Sequence, residues 1–253
     1  MERARRGPLV SGGGRRLALT LSLTLAALAL VGARLEARGA RTAPPSPARA
    51  LVYELDPADQ SAAEGLLRSA RRATPDQGFT AEEGAWWWEE GRLHARGAHN
   101  AALWLPAHLP RDARVELSVR AEDPEGDAKC ELFGDGATHK SGYILINGGW
   151  KNTVRAIARR DEHDEQRRED KRCAGRCAPK GVEQRWVIER RGGVLSWYID
   201  GRLALELHDD HPLTGVGVAL NAWEAHVSFG RVRIYDITPP SARRVVRQAL
   251  ELK

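Results

Sequence analysis

FGDGATHKSGYILINGGWKNTVRAIARRDEHDE, residues Phe133–Glu165, decides the fold. Within it Tyr143 and Leu145 point one way and Ile144 and Ile146 the other. Apolar side chains on both faces predict a strand buried on both sides, hence a central one. The next run, Thr153–Arg159, sets Val154, Ala156 and Ala158 against Thr153, Arg155, Ile157 and Arg159, and Gly148-Gly149 supply a tight turn between the two strands. Loops borne on such a rigid hairpin are where binding chemistry collects. Here they gather Asp135, His139, Trp150, Asn152, Arg159, Glu162 and His163.

Outward from this hairpin the signal stays that of strands. Lys129–Phe133 precedes it. Further upstream Val115, Leu117 and Val119 alternate with Glu116, Ser118 and Arg120, which predicts a half-buried strand. In Trp86-Trp87-Trp88, Trp86 and Trp88 share one strand face and Trp87 takes the other, with core filling the expected role. The charged segment Glu165–Gly181 is expected as an exposed loop. After it, Arg185–Arg190, Val194–Ile199 and Arg202–Leu207, joined at Gly192-Gly193 and Asp200-Gly201, form a meander. Gly215–Trp223 is a further strand. His226–Ile237 changes its apolar phase between Phe229 and Val232, which places a bulge at Gly230-Arg231. Asp56 followed by Pro57 predicts a helix start, with the helix running to about Arg72 and packing outside the sheets. Pro239-Pro240 ends the last strand, and a docked helix is expected over Ser241–Lys253. About ten to twelve short strands without helical crossovers exclude parallel α/β architectures and predict an all-β antiparallel sandwich or jelly roll.

The net charge of +5 is unevenly placed. Residues 1–50 hold nine arginines against Glu2 and Glu36, and the remainder carries 30 basic and 32 acidic side chains. The folded part is therefore not basic, which argues against nucleic acid as a partner. Arg15-Arg16 stand directly before Leu17–Ala33, an uncharged run of apolar and small residues. That layout predicts a secretory signal cleaved near Ala33 or a retained signal anchor with the domain outside the cytoplasm. The expected locations are the cell membrane, through residues 17–33, or a secreted or periplasmic state. Residues 34–50, with Pro44, Pro45 and Pro47, read as a tether; residues 51–78 as a short helical segment; 79–238 as the sandwich. Cys173 and Cys177 can close a small disulfide loop in an oxidising compartment, leaving Cys130 as a buried strand residue.

The order Gly-Asp-Gly, His, Ser-Gly-Tyr, Gly-Gly-Trp-x-Asn and Ile-Ala-Arg across residues 134–159, followed by Trp-Tyr-Ile-Asp-Gly at 197–201, Asp-x-x-Pro-Leu near 209–213 and Phe-Gly-x-Val-x-Ile at 229–234, resembles the concanavalin A-like lectin/glucanase superfamily. Within it the likeness is to bacterial laminin-G-like and 3-keto-disaccharide hydrolase-like jelly rolls. The resemblance implies two curved antiparallel sheets, with carbohydrate bound in many members on the concave face or its rim loops.

A sugar site needs an aromatic plate with hydrogen-bonding groups at its edge. Trp150 with Asn152, and Trp223 with Asn221 and Glu224, supply that chemistry, with His139 and Arg159 as further candidates. A glycan or polysaccharide is the expected partner. A second reading is a glycoside hydrolase using a carboxylate pair in the same groove, for which Glu162 is the candidate acid or base and His163 or Asp135 would assist. The cluster Asp161–Glu165 matches neither Glu-x-Asp-x-x-Glu nor Glu-x-Asp-x-Glu, the strand patterns of the family sixteen glucanases. A third reading is a structural or protein-contact module of the cell envelope, which predicts no groove and no exposed Trp150. No organic cofactor is implied. Asp135, Asp209 and Asp210 in turns suggest calcium, although no spacing forms a dedicated motif.

Overall fold

The computed structural model describes residues 41–45, 51–76 and 78–239. Two antiparallel sheets face each other. Sheet A runs in the order β12 (Arg202–His208), β11 (Val194–Ile199), β10 (Glu183–Arg191), β5 (Ala113–Ala121), β14 (Val227–Asp236), β3 (Arg92–Ala95) and β2 (Trp86–Glu89). β1 (Leu51–Leu55) joins β14 beside β3. Sheet B runs β4 (Leu103–Trp104), β13 (Gly217–Ala222), β6 (Ala128–Gly134), β7 (Tyr143–Gly148), β8 (Val154–Arg159) and β9 (Arg168–Asp170). The strand expected at Tyr143–Ile146 is buried along its whole length and lies between β6 and β8.

Register explains why sheet B has one apolar face and one mixed face. Leu220, Cys130, Leu145 and Ile157 stand opposite one another across β13, β6, β7 and β8, and this row belongs to the core between the sheets. The rows on either side turn outward: Asn221, Lys129, Ile146 and Ala156 form one, and Ala219, Glu131, Ile144 and Ala158 the other. Against the inner row sheet A places Val115, Leu117, Trp186, Trp197 and Phe229. The bulge in β14 falls where the phase change predicts it, with the β5 register shifting between Phe229 and Val232. Trp86 is core, and its indole N–H donates to Ala101 O.

Four expectations need correction. The helix α1 spans Gln60–Ser69 with Asp59 as its N-cap, whose carboxylate accepts from Ala62 N. Asp56 instead accepts from Ala58 N in the preceding turn and pairs with Arg231. Within 51–78, expected as helical, Leu51–Leu55 is a strand because its residues complete the β14 edge beyond the bulge. β5 is buried on both faces only over Ala113–Leu117, Ser118 and Arg120 staying partly exposed as expected: Arg114 reaches Glu116 at 2.7 Å and Glu189 at 2.8 Å, so these outward charges interlock across β5 and β10 and shield one another. Finally, the turn after β7 is not a two-residue Gly-Gly turn. Trp150, Lys151 and Asn152 take φ of 52°, 58° and 61°, a single left-handed turn closed by Thr153 N donating to Gly149 O. Thr42 and Ala43 of the expected tether pair with Arg202 and Gly201.

Cys173 and Cys177 form a disulfide, and Cys130 is free and buried. Gly175, inside the disulfide loop, donates its N–H to Asn152 O, and Ala178 N donates to Asn152 Oδ1. The crosslink thus braces the left-handed turn. Replacing both cysteines by serine is expected to lower stability by about 2 kcal/mol on loop-closure grounds, read as a shift in the urea midpoint with unchanged slope. Among the described residues no helix is long and apolar enough to cross a membrane. Leu17–Ala33 and the helix expected over Ser241–Lys253 lie outside the described residues.

Candidate functional site

Lys129 and Ile146, neighbours in one outward row of sheet B, floor a cavity of about 710 Å³. This is within the range of roughly 300–1,000 Å³ that holds small ligands. One wall is the left-handed turn. A bulky residue in that conformation costs about 1–2 kcal/mol, and strain of this kind persists where surrounding contacts over-determine it. Here Asn152 does so: it donates to Pro124 O at 3.1 Å and Ala178 O at 3.0 Å. The result is Trp150 standing 39% exposed at the cavity, with the Arg167 guanidinium 4.6 Å from its ring centroid and His163 edge-on at 5.9 Å. The facing residues come from the end of β13. Trp223 is gripped edge-on by Phe79 at 4.6 Å and His99 at 4.9 Å, and Phe79 is itself 48% exposed. Both tryptophans line the cavity.

Between them lies a charged floor. Asp127, Lys129 and Glu131 occupy alternate positions of β6 and its lead-in, so all three project from one face, Asp127 and Lys129 lining the cavity and Glu131 fully buried beside it. Lys129 Nζ donates to Glu162 Oε2 and to Asn100 Oδ1, each at 2.9 Å, and lies 3.9 Å from Asp127 Oδ2. Burial opposes the ammonium charge, but the Asp127 and Glu162 carboxylates outweigh it and hold Lys129 above the usual lysine range. The two carboxylates diverge. Burial, partly offset by Lys129 and reinforced by Glu162, pushes Asp127 up to about 7. Glu162 resists its own burial through Lys129 and stays below the ordinary glutamate value. One carboxyl that holds a proton near neutrality therefore faces one that does not, the separation that acid–base chemistry requires.

Asp127 gives a stability prediction with a definite sign. Its folded value lies above the unfolded aspartate value of about 3.9, so its contribution is full below about pH 4 and is lost as pH rises through 7. Asp127→Asn removes that titration, and asparagine tolerates the positive φ of 68° at this position. The variant is expected to gain at least about 1 kcal/mol relative to the parent between pH 5 and pH 8, measured by urea unfolding at both pH values.

The candidates singled out in the sequence separate into three groups. Trp150, Glu162, His163, Trp223 and Glu224 line the cavity together. His139 and Asn221 sit behind its floor: His139 Nδ1 lies 2.7 Å from Glu131 Oε1, and Asn221 Nδ2 donates to the same oxygen at 2.7 Å. Asp135, Asn152 and Arg159 do not line the cavity. Asp135 accepts from Ala137 N, Thr138 N, Thr138 Oγ1 and Ser141 Oγ within its own loop. Against burial, those bonds hold it down at about 2, which makes it a loop organiser with no proton to give. Arg159 pairs with Asp209 at 2.8 Å, and Asp209 also accepts from Tyr143. Asp135 and Asp209 thus spend their oxygens on the protein itself, and the calcium set suggested by the turns does not assemble around them. One group among the described residues does bring ligating atoms together: Asp76, His139 and Glu162 each offer one within 4.8 Å of the others.

Sequence reasoning missed Asp76, Phe79, Asp127 and Lys129. The β6 signal was present, since charges at 127, 129 and 131 alternate with Ala128, Cys130 and Leu132. Asp76 and Phe79 come from an aperiodic segment whose approach depends on long-range packing.

No known family pattern matches the sequence, and no curated protein matches it. Solved structures do. A carbohydrate-binding module, CBM66 from Bacillus subtilis, superposes with a TM-score of 0.50 at 19% identity over 60% of this chain and 91% of its own. A mutant of a non-specific endo-beta-1,3(4)-glucanase from family GH16, co-crystallised with a glucan oligosaccharide at its active site, superposes with a TM-score of 0.50 at 12% identity over 78% of this chain and 98% of its own. At these identities the likeness speaks for architecture, and with the two facing sheets it shows that the chain has the concanavalin A-like jelly-roll fold.

Proposed function

We propose that the cavity on the outer face of sheet B binds carbohydrate. The observation that carries this reading is the pair of partly exposed indoles, Trp150 and Trp223, flanking a floor of charged groups. Sugar rings offer apolar faces to such plates and hydroxyls to such a floor. The fold likeness to a carbohydrate-binding module and a glucanase supports the same reading. A structural module predicts neither a groove nor an exposed Trp150, and both are present. A glycan array probed with the full-length chain tests the proposal: selective binding is expected, and the absence of any bound glycan overturns it.

A second reading is favoured by the opposed proton affinities of Asp127 and Glu162 across Lys129. In it Asp127 is the proton donor and Glu162 the carboxylate of a glycosidase-like site. Release of reducing ends from a glycan bound on the array, lost in Asp127→Asn and Glu162→Gln, is the expected result if this reading holds. Export of the domain, either tethered through residues 17–33 or released, belongs to the same proposal. It is supported by the arginine-flanked apolar leader and by the Cys173–Cys177 disulfide.

A further inference from the structure

His139 is held in a way that its surroundings do not use. Its side chain is 3% exposed. Nδ1 meets Glu131 Oε1 at 2.7 Å, while Nε2 is buried with no hydrogen-bond partner among the described residues. Glu131 is itself fully buried and fixed by Asn221. A carboxylate there accepts the Nδ1 proton, which fixes the tautomer and leaves the Nε2 lone pair free. Burying an unpaired imidazole nitrogen is unfavourable, and a carboxylate–histidine pair with its second nitrogen open is the arrangement that orients metal-ligating histidines.

Two carboxylates come to the same place from other segments. Asp76 precedes β2 and Glu162 follows β8, and one oxygen of each lies within 4.8 Å of the His139 ligating atom and of the other. Metal–ligand bonds of about 2.0–2.2 Å put neighbouring ligand atoms roughly 3.3 Å apart in a tetrahedral site, so a contraction of about 1.5 Å at most completes the set. Lys129 holds Glu162 Oε2 at 2.9 Å and Lys140 lies 3.4 Å from Asp76 Oδ2, so one oxygen of each carboxylate pairs with an ammonium group. Asn100 Nδ2 donates to Glu162 Oε1 at 3.3 Å and to Asp76 Oδ2 at 3.2 Å, long bonds that an ion would displace.

We propose that Asp76, His139 and Glu162 bind one divalent transition-metal ion beside the cavity, with Glu131 positioning the histidine. One imidazole with two carboxylates suits Zn²⁺ or Mn²⁺, whereas Ca²⁺ and Mg²⁺ favour sites made wholly of oxygen. The two neighbouring ammonium groups repel the ion, so micromolar affinity is expected. Asp76 and Glu162 also line the cavity, so an ion held between them would stand at its wall.

The test uses the full-length chain, stripped with a chelator and dialysed separately against Zn²⁺, Mn²⁺ and Ca²⁺, with bound metal counted by mass spectrometry. One Zn²⁺ or Mn²⁺ per chain is expected, weakened at least about 100-fold by His139→Ala and roughly tenfold by Glu131→Gln, and unchanged by His208→Ala on β12. No stoichiometric ion, or an ion retained equally by His139→Ala, overturns the proposal. Should that variant fail to fold, nitrogen NMR of the imidazoles in the unaltered chain decides. One Nε2 resonance moves on adding Zn²⁺ if the site exists, and its failure to move overturns the proposal. Neither readout depends on glycan binding.

Discussion

Lys129→Met is expected to destabilise the domain by about 3–5 kcal/mol at pH 8, the scale set by removing one member of a buried ion pair. Its side chain is 4% exposed, and its ammonium is the only cation within 4 Å of both Asp127 and Glu162 among the described residues. Without it two carboxylates remain on the floor with their charge unopposed. Either protonation or solvent entry must follow, and both weaken the fold. The loss should therefore be smaller at pH 5, where protons replace the missing cation. Adding Glu162→Gln to Lys129→Met should recover part of it, since the pair is coupled. Urea titrations of the two single variants and the double variant measure this. A loss below about 1 kcal/mol at pH 8 would mean that the floor is wetter than the packing of Lys129 against Asn100 and Glu162 implies.

The second large effect concerns ligand. For a glycan identified on the array, Trp223→Ala is expected to weaken binding by at least about 30-fold, as truncation of a central tryptophan anchor costs about 2 kcal/mol or more. Trp150→Ala should act similarly, with part of its effect through the left-handed turn that presents it. Trp87→Ala is the control: this indole stacks on His94 of sheet A and packs tilted against His226, away from the cavity lining, and its removal should leave affinity unchanged. Calorimetric titration of the three variants separates a groove ligand from one held elsewhere.

These effects show how far the sequence was legible. Period-two alternation placed the central strand, the meander and the β14 bulge, because each depends on neighbours along the chain. Glycine at 148 and 149 promised a tight turn, but Pro124, Gly175 and Ala178, all outside the hairpin, hold Asn152 and with it a left-handed turn. The same limit governs the site. Trp150, Glu162, Trp223 and Glu224 were visible as aromatic and acidic groups at strand ends. Nothing local marks Asn152 as a brace or Asp135 as a loop organiser, since asparagine and aspartate serve ligands and backbone alike. Lys129 was visible as a strand residue. Its role emerges only when Glu162 arrives from a loop 33 positions away.

The most direct test follows the indole N–H resonances of the full-length chain during titration with a bound oligosaccharide. All eight tryptophans report at once, and Trp186 and Trp197, fully buried between the sheets, serve as internal references. Carbohydrate in the proposed cavity shifts the Trp150 and Trp223 signals together and leaves Trp186 and Trp197 in place. Saturable binding that moves neither Trp150 nor Trp223 would contradict the assignment of this groove.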